Sequence, residues 1–133
     1  MKALLQETTE GPEAVRRASY NFETYVHRHS IDFRDLQVAD LGDLDLGSDP
    51  AYAMETIGDG FAFIPEGAIP IFIGGEHSIT PPIVSEVARR RGEIGVIVLD
   101  AHLDLRDEYG GTRYSHACAS RRILELSGVS GYA

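Results

Sequence analysis

Residues 94–104 read Ile94-Gly95-Val96-Ile97-Val98-Leu99 and then Asp100-Ala101-His102-Leu103-Asp104. A short run rich in β-branched residues predicts a buried parallel strand. Metal-seeking side chains placed where such a strand stops sit on the edge at which open α/β sheets bind ligands. In extended backbone, residues i, i+2 and i+4 share one face. The spacing therefore predicts that Asp100, His102 and Asp104 point together while Ala101 and Leu103 point into the protein.

A second apolar run, Ile69-Pro70-Ile71-Phe72-Ile73, stops at Gly74-Gly75-Glu76-His77-Ser78. Paired glycines let the backbone turn sharply and approach a ligand, and His77 becomes a fourth candidate ligand. Between the two runs, Ile79, Ile83, Val84 and Val87 oppose Ser85, Glu86, Arg89 and Arg90, the pattern of an amphipathic helix from Ile79 to Arg91. Strand, helix and strand form one βαβ unit, whose right-handed crossover makes the strands parallel and brings both carboxyl ends to one edge.

Taken singly, a histidine at a strand end is commonly a hydrogen-bonded structural residue. An Asp-x-Asp pair serves equally as a Mg²⁺ and phosphate motif or as the cap of the next helix. Four ligand-type residues at two adjacent strand ends carry the metal reading. A set of carboxylates and imidazoles with no thiolate suits Mn²⁺, Fe²⁺ or Zn²⁺, and its carboxylate content tilts it toward Mn²⁺. His116 follows the polar segment 106–113 and precedes a helix. Imidazoles ordinarily titrate near neutral pH, so it is a candidate for proton transfer, the alternative being a helix-start residue that hydrogen-bonds a loop.

Gly74-Gly75-Glu76-His77-Ser78, Asp100-Ala101-His102-Leu103-Asp104 and Tyr114-Ser115-His116-Ala117 resemble, in order, the first three signatures of the ureohydrolases, the arginase and agmatinase family, with wording closest to agmatinases. Gly11 to Ser19 resembles the family's early helix. The resemblance implies a three-layer α/β/α fold with a mainly parallel sheet and a binuclear Mn²⁺ site. His77 and Asp104 would ligate one ion, His102 the other, and Asp100 would bridge them and so share in catalysis. A metal-bridging hydroxide would attack the guanidinium carbon of a small cationic substrate, giving urea and an amine, with His116 supplying the amine's proton. A guanidinium is a poor electrophile, and metal ions that lower the pKa of water supply the strong nucleophile it needs.

The wording inclines toward agmatine, giving the polyamine precursor putrescine; guanidinobutyrate, arginine and formiminoglutamate stay open. Family members are longer and carry a later Ser-x-Asp-x-Asp segment that completes both metal sites, and no such segment occurs here. The chain thus reads as a single, incomplete ureohydrolase domain over residues 1–133, an N-terminal half trimmed at its own start. The alternative to an enzyme is a non-catalytic remnant. The family's trimers or hexamers imply a homo-oligomer, and a partial sheet leaves an edge for an oligomer to cover.

Composition is compatible with this. With 12 Lys and Arg against 21 Asp and Glu, the net charge of −9 argues against a nucleic-acid surface and suits cationic ligands. At 43% hydrophobic residues the chain can form one core. Ala3-Leu4-Leu5 is too brief for a signal or membrane segment, so the expected compartment is the cytoplasm with no membrane partner. Helices are expected over Pro12–Tyr25, Pro50–Phe63 and Ala117–Leu126, with a strand at Leu36–Ala39. Asp49-Pro50 is a cap and first-turn proline, and Gly58 and Gly60 weaken that helix. The acidic stretch Asp40 to Asp49 lacks EF-hand spacing and reads as a turn. Asp107 and Glu108 read as a solvated loop, Cys118 as a packed small residue, and His27-Arg28-His29 as the end of a surface helix.

Overall fold

Proline at the start of a helix costs no hydrogen bond, and three helices use it so. The computed structural model describes residues 9–133, so Ala3-Leu4-Leu5 lies outside it. Helix α1 (Gly11–Ser19) has Pro12 in its first turn and Arg16 and Arg17 in its last. It is shorter than the expected Pro12–Tyr25, because the chain turns after Tyr20 into a hairpin of β1 (Tyr25–Val26) and β2 (Ile31–Asp32), paired antiparallel. His27-Arg28-His29 is the hairpin's turn and not a helix end, with Ser30 at φ 52°. Residues 36–39 form no ladder, which corrects the expected strand. The acidic stretch beyond them is a turn, with Gly42 N–H donating to Asp40 Oδ1 at 2.8 Å. Arg16 clasps it through Nε to Asp40 Oδ2 at 2.6 Å and Nη2 to Asp43 Oδ1 at 2.9 Å.

Helix α2 (Pro50–Gly60) starts as expected, Asp49 accepting from Ala51 N–H at 2.9 Å, and tightens into a 3₁₀ turn at Phe61–Phe63. Gly60 is used for contact: a Cβ there would lie 3.1 Å from Leu44 Cδ1. Helix α3 (Thr80–Arg91) follows a 3₁₀ turn at His77–Ile79 and buries Val84 and Ala88, from the face that the periodicity marks. It leads into β3 (Ile94–Val96). A 3₁₀ turn at His116–Cys118 opens α4 (Ala119–Leu124), and the chain returns in β4 (Val129–Tyr132). Sequence reading had no strand there.

Strands β3 and β4 pair in parallel, Ile94 with Val129 and Val96 with Tyr132, with a register irregularity after Ile94. The expected strand at 69–73 forms no ladder among the described residues, and the run 97–99 is laddered only through Val98 N–H to Ala133 C=O at 2.8 Å. Parallel strands need neighbours to supply hydrogen bonds, and among the described residues no strand pairs with 69–73. The core sits between α2, α3 and α4, where Ile57, Phe61, Val84, Ala88, Cys118, Ala119 and Ile123 are buried. Phe61 stacks on Phe72 with centroids 5.2 Å apart, and Arg90 lies over its ring while donating to the Phe61 and Ile64 carbonyls. Cys118 is buried as expected. Among the described residues no helix is long and apolar enough to cross a membrane.

Candidate metal centre

The first side of the site is built by Gly74-Gly75-Glu76. A Cβ on Gly74 would fall 2.2 Å from Ile79 Cδ1, so the loop passes directly against the side chain that ends the following turn. Glu76 caps that turn, Oε2 accepting from Ser78 N–H at 2.8 Å. The cap satisfies an orphan donor and fixes how His77 leaves the backbone.

The second side departs from extended geometry. Asp100 Oδ1 accepts from His102 N–H at 2.8 Å, a side-chain turn that competes with a strand, and Asp104 has φ 46°. Asp104 is then held by its backbone, its carbonyl accepting from Arg121 N–H at 3.2 Å, while Arg106 N–H donates to the Ala117 carbonyl at 3.0 Å.

The bends bring three of the four expected ligands together. His77 Nδ1 lies 2.7 Å from Asp104 Oδ2 and 3.7 Å from Asp100 Oδ2. One ligand atom from each of the three residues lies within 4.8 Å of the others. The fourth is separate: the His102 side chain is 81% exposed, with Nδ1 3.1 Å from Asp100 Oδ1. Asp100 thus lies between two imidazoles, its Oδ2 3.7 Å from His77 Nδ1 and its Oδ1 3.1 Å from His102 Nδ1. The Asp100 turn and the left-handed Asp104 break the extended alternation expected over 100–104. The Asp100 carboxyl is held below its ordinary range, first by the His102 backbone N–H, then by the His102 ring, with burial opposing.

His116 lies beside this cluster because its turn packs on the turn carrying His77. Its backbone N–H donates to Glu76 Oε1 at 2.7 Å, and its Nδ1 lies 3.1 Å from the same oxygen. Tyr109 presents an edge contact at 5.8 Å, and Arg106 covers the Tyr109 ring at 5.0 Å. Sequence reasoning quoted Glu76 but gave it no role; a carboxylate beside a ligand histidine was the available signal. Asp107 is not merely solvated. It accepts from Arg122 Nη2 at 2.7 Å and pairs with Arg113 at 3.2 Å, and Arg122 chiefly holds its carboxyl low.

The donor set fits a divalent cation. One imidazole and two carboxylates form a hard to borderline set, and a 4.8 Å limit on their separation is close to the roughly 4 Å that two ligands on one ion can span. The sequence profile of the Arginase family matches residues 5–132. The chain belongs to the arginase family. It is 43% identical over 120 residues to an agmatinase of Pyrococcus horikoshii, covering 87% of this chain and 41% of that protein. It is 37% identical to an N(1)-aminopropylagmatine ureohydrolase of Thermococcus kodakarensis, covering 87% and 40%. Its fold is similar to the crystal structure of the agmatine ureohydrolase of Thermoplasma volcanium, with TM-score 0.78, 36% identity, and 93% of this chain and 44% of that one covered. The α/β class and the arginase-type fold read from the sequence are thereby met. The chain spans about two fifths of the length of the curated relatives it matches, 41% and 40%.

Proposed function

We propose that this arginase-family chain carries the metal-binding and proton-transfer half of an agmatinase-like site that hydrolyses a guanidinium group to urea and an amine. The observation that supports it is the convergence of His77, Asp100 and Asp104, with His116 tied to the residue before His77. These three residues would hold Mn²⁺, and His102, with Nδ1 3.1 Å from Asp100 Oδ1, would ligate a second ion that shares Asp100, as the family resemblance implies. The bound metal's contribution is to lower the pKa of water, so that a strong nucleophile exists near neutral pH.

The chain's own residues do the rest. Asp100 and Asp104 place fixed negative charge beside the cationic guanidinium and join the chain's overall charge of −9 in attracting it. In the reaction a C–O bond forms and the C–N bond to the alkyl amine breaks; one water and one guanidinium cation give urea and one alkylammonium. His116 gives the departing nitrogen its proton and recovers one from the water consumed. Agmatine is the substrate favoured, putrescine the product, and polyamine synthesis the use. The same reading includes the cytoplasm as compartment and association with further copies of the chain.

A second reading is favoured by the surface. The accessible area is 10085 Å², against about 6,900 Å² for a compact monomer of this mass. On that reading the 133-residue chain by itself turns nothing over, and activity belongs to an assembly that covers the excess. Calorimetry with Mn²⁺, alongside a urea-release assay on agmatine, separates the two, with His77→Ala/Asp100→Ala as control. Binding with urea formed, both lost in the double variant, supports the first reading. Binding without urea supports the second. No binding that depends on His77 and Asp100 overturns the metal assignment.

A further inference from the structure

Glu76 joins the two halves of the site across 40 residues of sequence. Its Oε2 accepts from the Ser78 backbone N–H at 2.8 Å and from the Ser78 hydroxyl. Its Oε1 accepts from the His116 backbone N–H at 2.7 Å and lies 3.1 Å from His116 Nδ1. Its side chain is 22% exposed, against 59% for that of His116. An ionised carboxylate can only accept, and Oε1 therefore requires a hydrogen on Nδ1. A neutral imidazole with hydrogen on Nδ1 leaves Nε2 bare.

We propose that Glu76 is the positioning residue of this site: it fixes His116 as the Nδ1–H tautomer and so leaves Nε2 as the nitrogen that takes up and gives up the proton. The backbone contact sets where the ring is rooted, and the ring contact to the same oxygen sets its rotation. Because Glu76 also caps the turn that aims His77, one carboxylate fixes the spacing between a metal ligand and the proton donor. The proposal rests on the reading of His116 as the proton carrier, and its test does not use activity.

Long-range ¹H–¹⁵N correlation spectra of the histidine-labelled 133-residue chain, at about pH 8.5 where imidazoles are neutral, report which ring nitrogen is protonated. The His116 signals are identified by their loss in His116→Gln. The expected pattern is Nδ1 protonated and Nε2 bare, kept in Glu76→Gln, whose amide oxygen still accepts. It reverts in Glu76→Ala to the Nε2–H form that free imidazole side chains favour in water. An Nε2–H ring in the unaltered chain, or an unchanged pattern in Glu76→Ala, overturns the proposal. If Glu76→Ala does not fold, the unaltered chain and Glu76→Gln decide. An Nδ1–H ring in a chain that binds Mn²⁺ and makes no urea leaves this assignment in place and assigns turnover to the assembly of the second reading.

Discussion

His77 Nδ1 and Asp104 Oδ2 lie 2.7 Å apart, although 27 residues separate them, and each is aimed by a different turn. His77 is fixed by the Glu76 cap, and Asp104 by a left-handed backbone that α4 holds through Arg121. The pair is pre-organised, so a cation replaces a hydrogen bond without rebuilding a loop. Asp104→Asn keeps the shape and an accepting oxygen but removes the charge. The expected result is Mn²⁺ affinity lowered by more than roughly tenfold, at least the loss typical of changing an outer-shell partner. His102→Ala, at an exposed position off the cluster, is expected to weaken the first ion less. Calorimetric titration of the two variants checks the order, and an equal loss in both sinks it.

The acid response follows from Arg16. Its hydrogen bonds are the main cause that holds the Asp40 and Asp43 carboxyls below their ordinary range. With folded pKa values below the unfolded value of about 3.9, the stabilisation is fully present above that pH and is lost as pH falls through the folded values. Asp40 and Asp43 are exposed and Arg16 is half-buried, so the contribution is small and screened by salt. The difference in Tm between the unaltered chain and Arg16→Gln should hold steady from pH 7 to about pH 5 and close only below about pH 3. A difference that widens on acidification contradicts the sign.

The parts legible in sequence are those governed by period and by local caps. Val84 and Ala88 face the core because helical spacing puts them there, and Asp49-Pro50 starts α2 by local chemistry alone. The glycines before His77 read as letting the backbone approach a ligand, whereas the neighbour of Gly74 is the Ile79 side chain. What failed depended on competition between side chain and backbone. Asp100 bonds the His102 N–H in place of a ladder partner, and that bond bends the chain out of extended geometry. Strand β4 was missed because Val129-Ser130-Gly131-Tyr132 has little pattern of its own; pairing with β3 makes it a strand.

Two glycines distinguish rigid from yielding neighbours. A Cβ on Gly128 would lie 2.7 Å from Ala88 Cβ, which is fixed to the backbone of α3 and cannot swing away. A Cβ on Gly74 would be closer still to Ile79 Cδ1, at 2.2 Å, but that atom is the free end of a flexible side chain. Gly128→Ala should therefore cost about 1–3 kcal/mol, the usual range for overpacking, and Gly74→Ala less. Urea denaturation of each variant measures this. A larger loss at Gly74 means that Ile79 is locked by its surroundings.

The apolar runs that lack ladders make a prediction about the chain as it stands. Ile69 and Ile71 are 85% and 82% exposed and Leu99 is 97% exposed, while Phe72, next to Ile71, stacks on Phe61. Alternation has half-buried one row and left the other in water, where it adds nothing to folding and exceeds what a soluble monomer usually shows. The chain should bind an apolar reporter dye such as ANS in its folded state and self-associate as concentration rises. Replacing Ile71 and Leu99 by Thr should cut both markedly while changing stability by no more than about 0.5 kcal/mol per site, as for surface positions. The same double change at Phe61 and Ile123, which are 1% and 0% exposed, should unfold the chain, since each large-to-small change in a core costs about 2–5 kcal/mol. If Ile71→Thr/Leu99→Thr is as damaging as the core pair, then self-association covers these rows and is itself what holds the chain together, and stability should then rise with protein concentration.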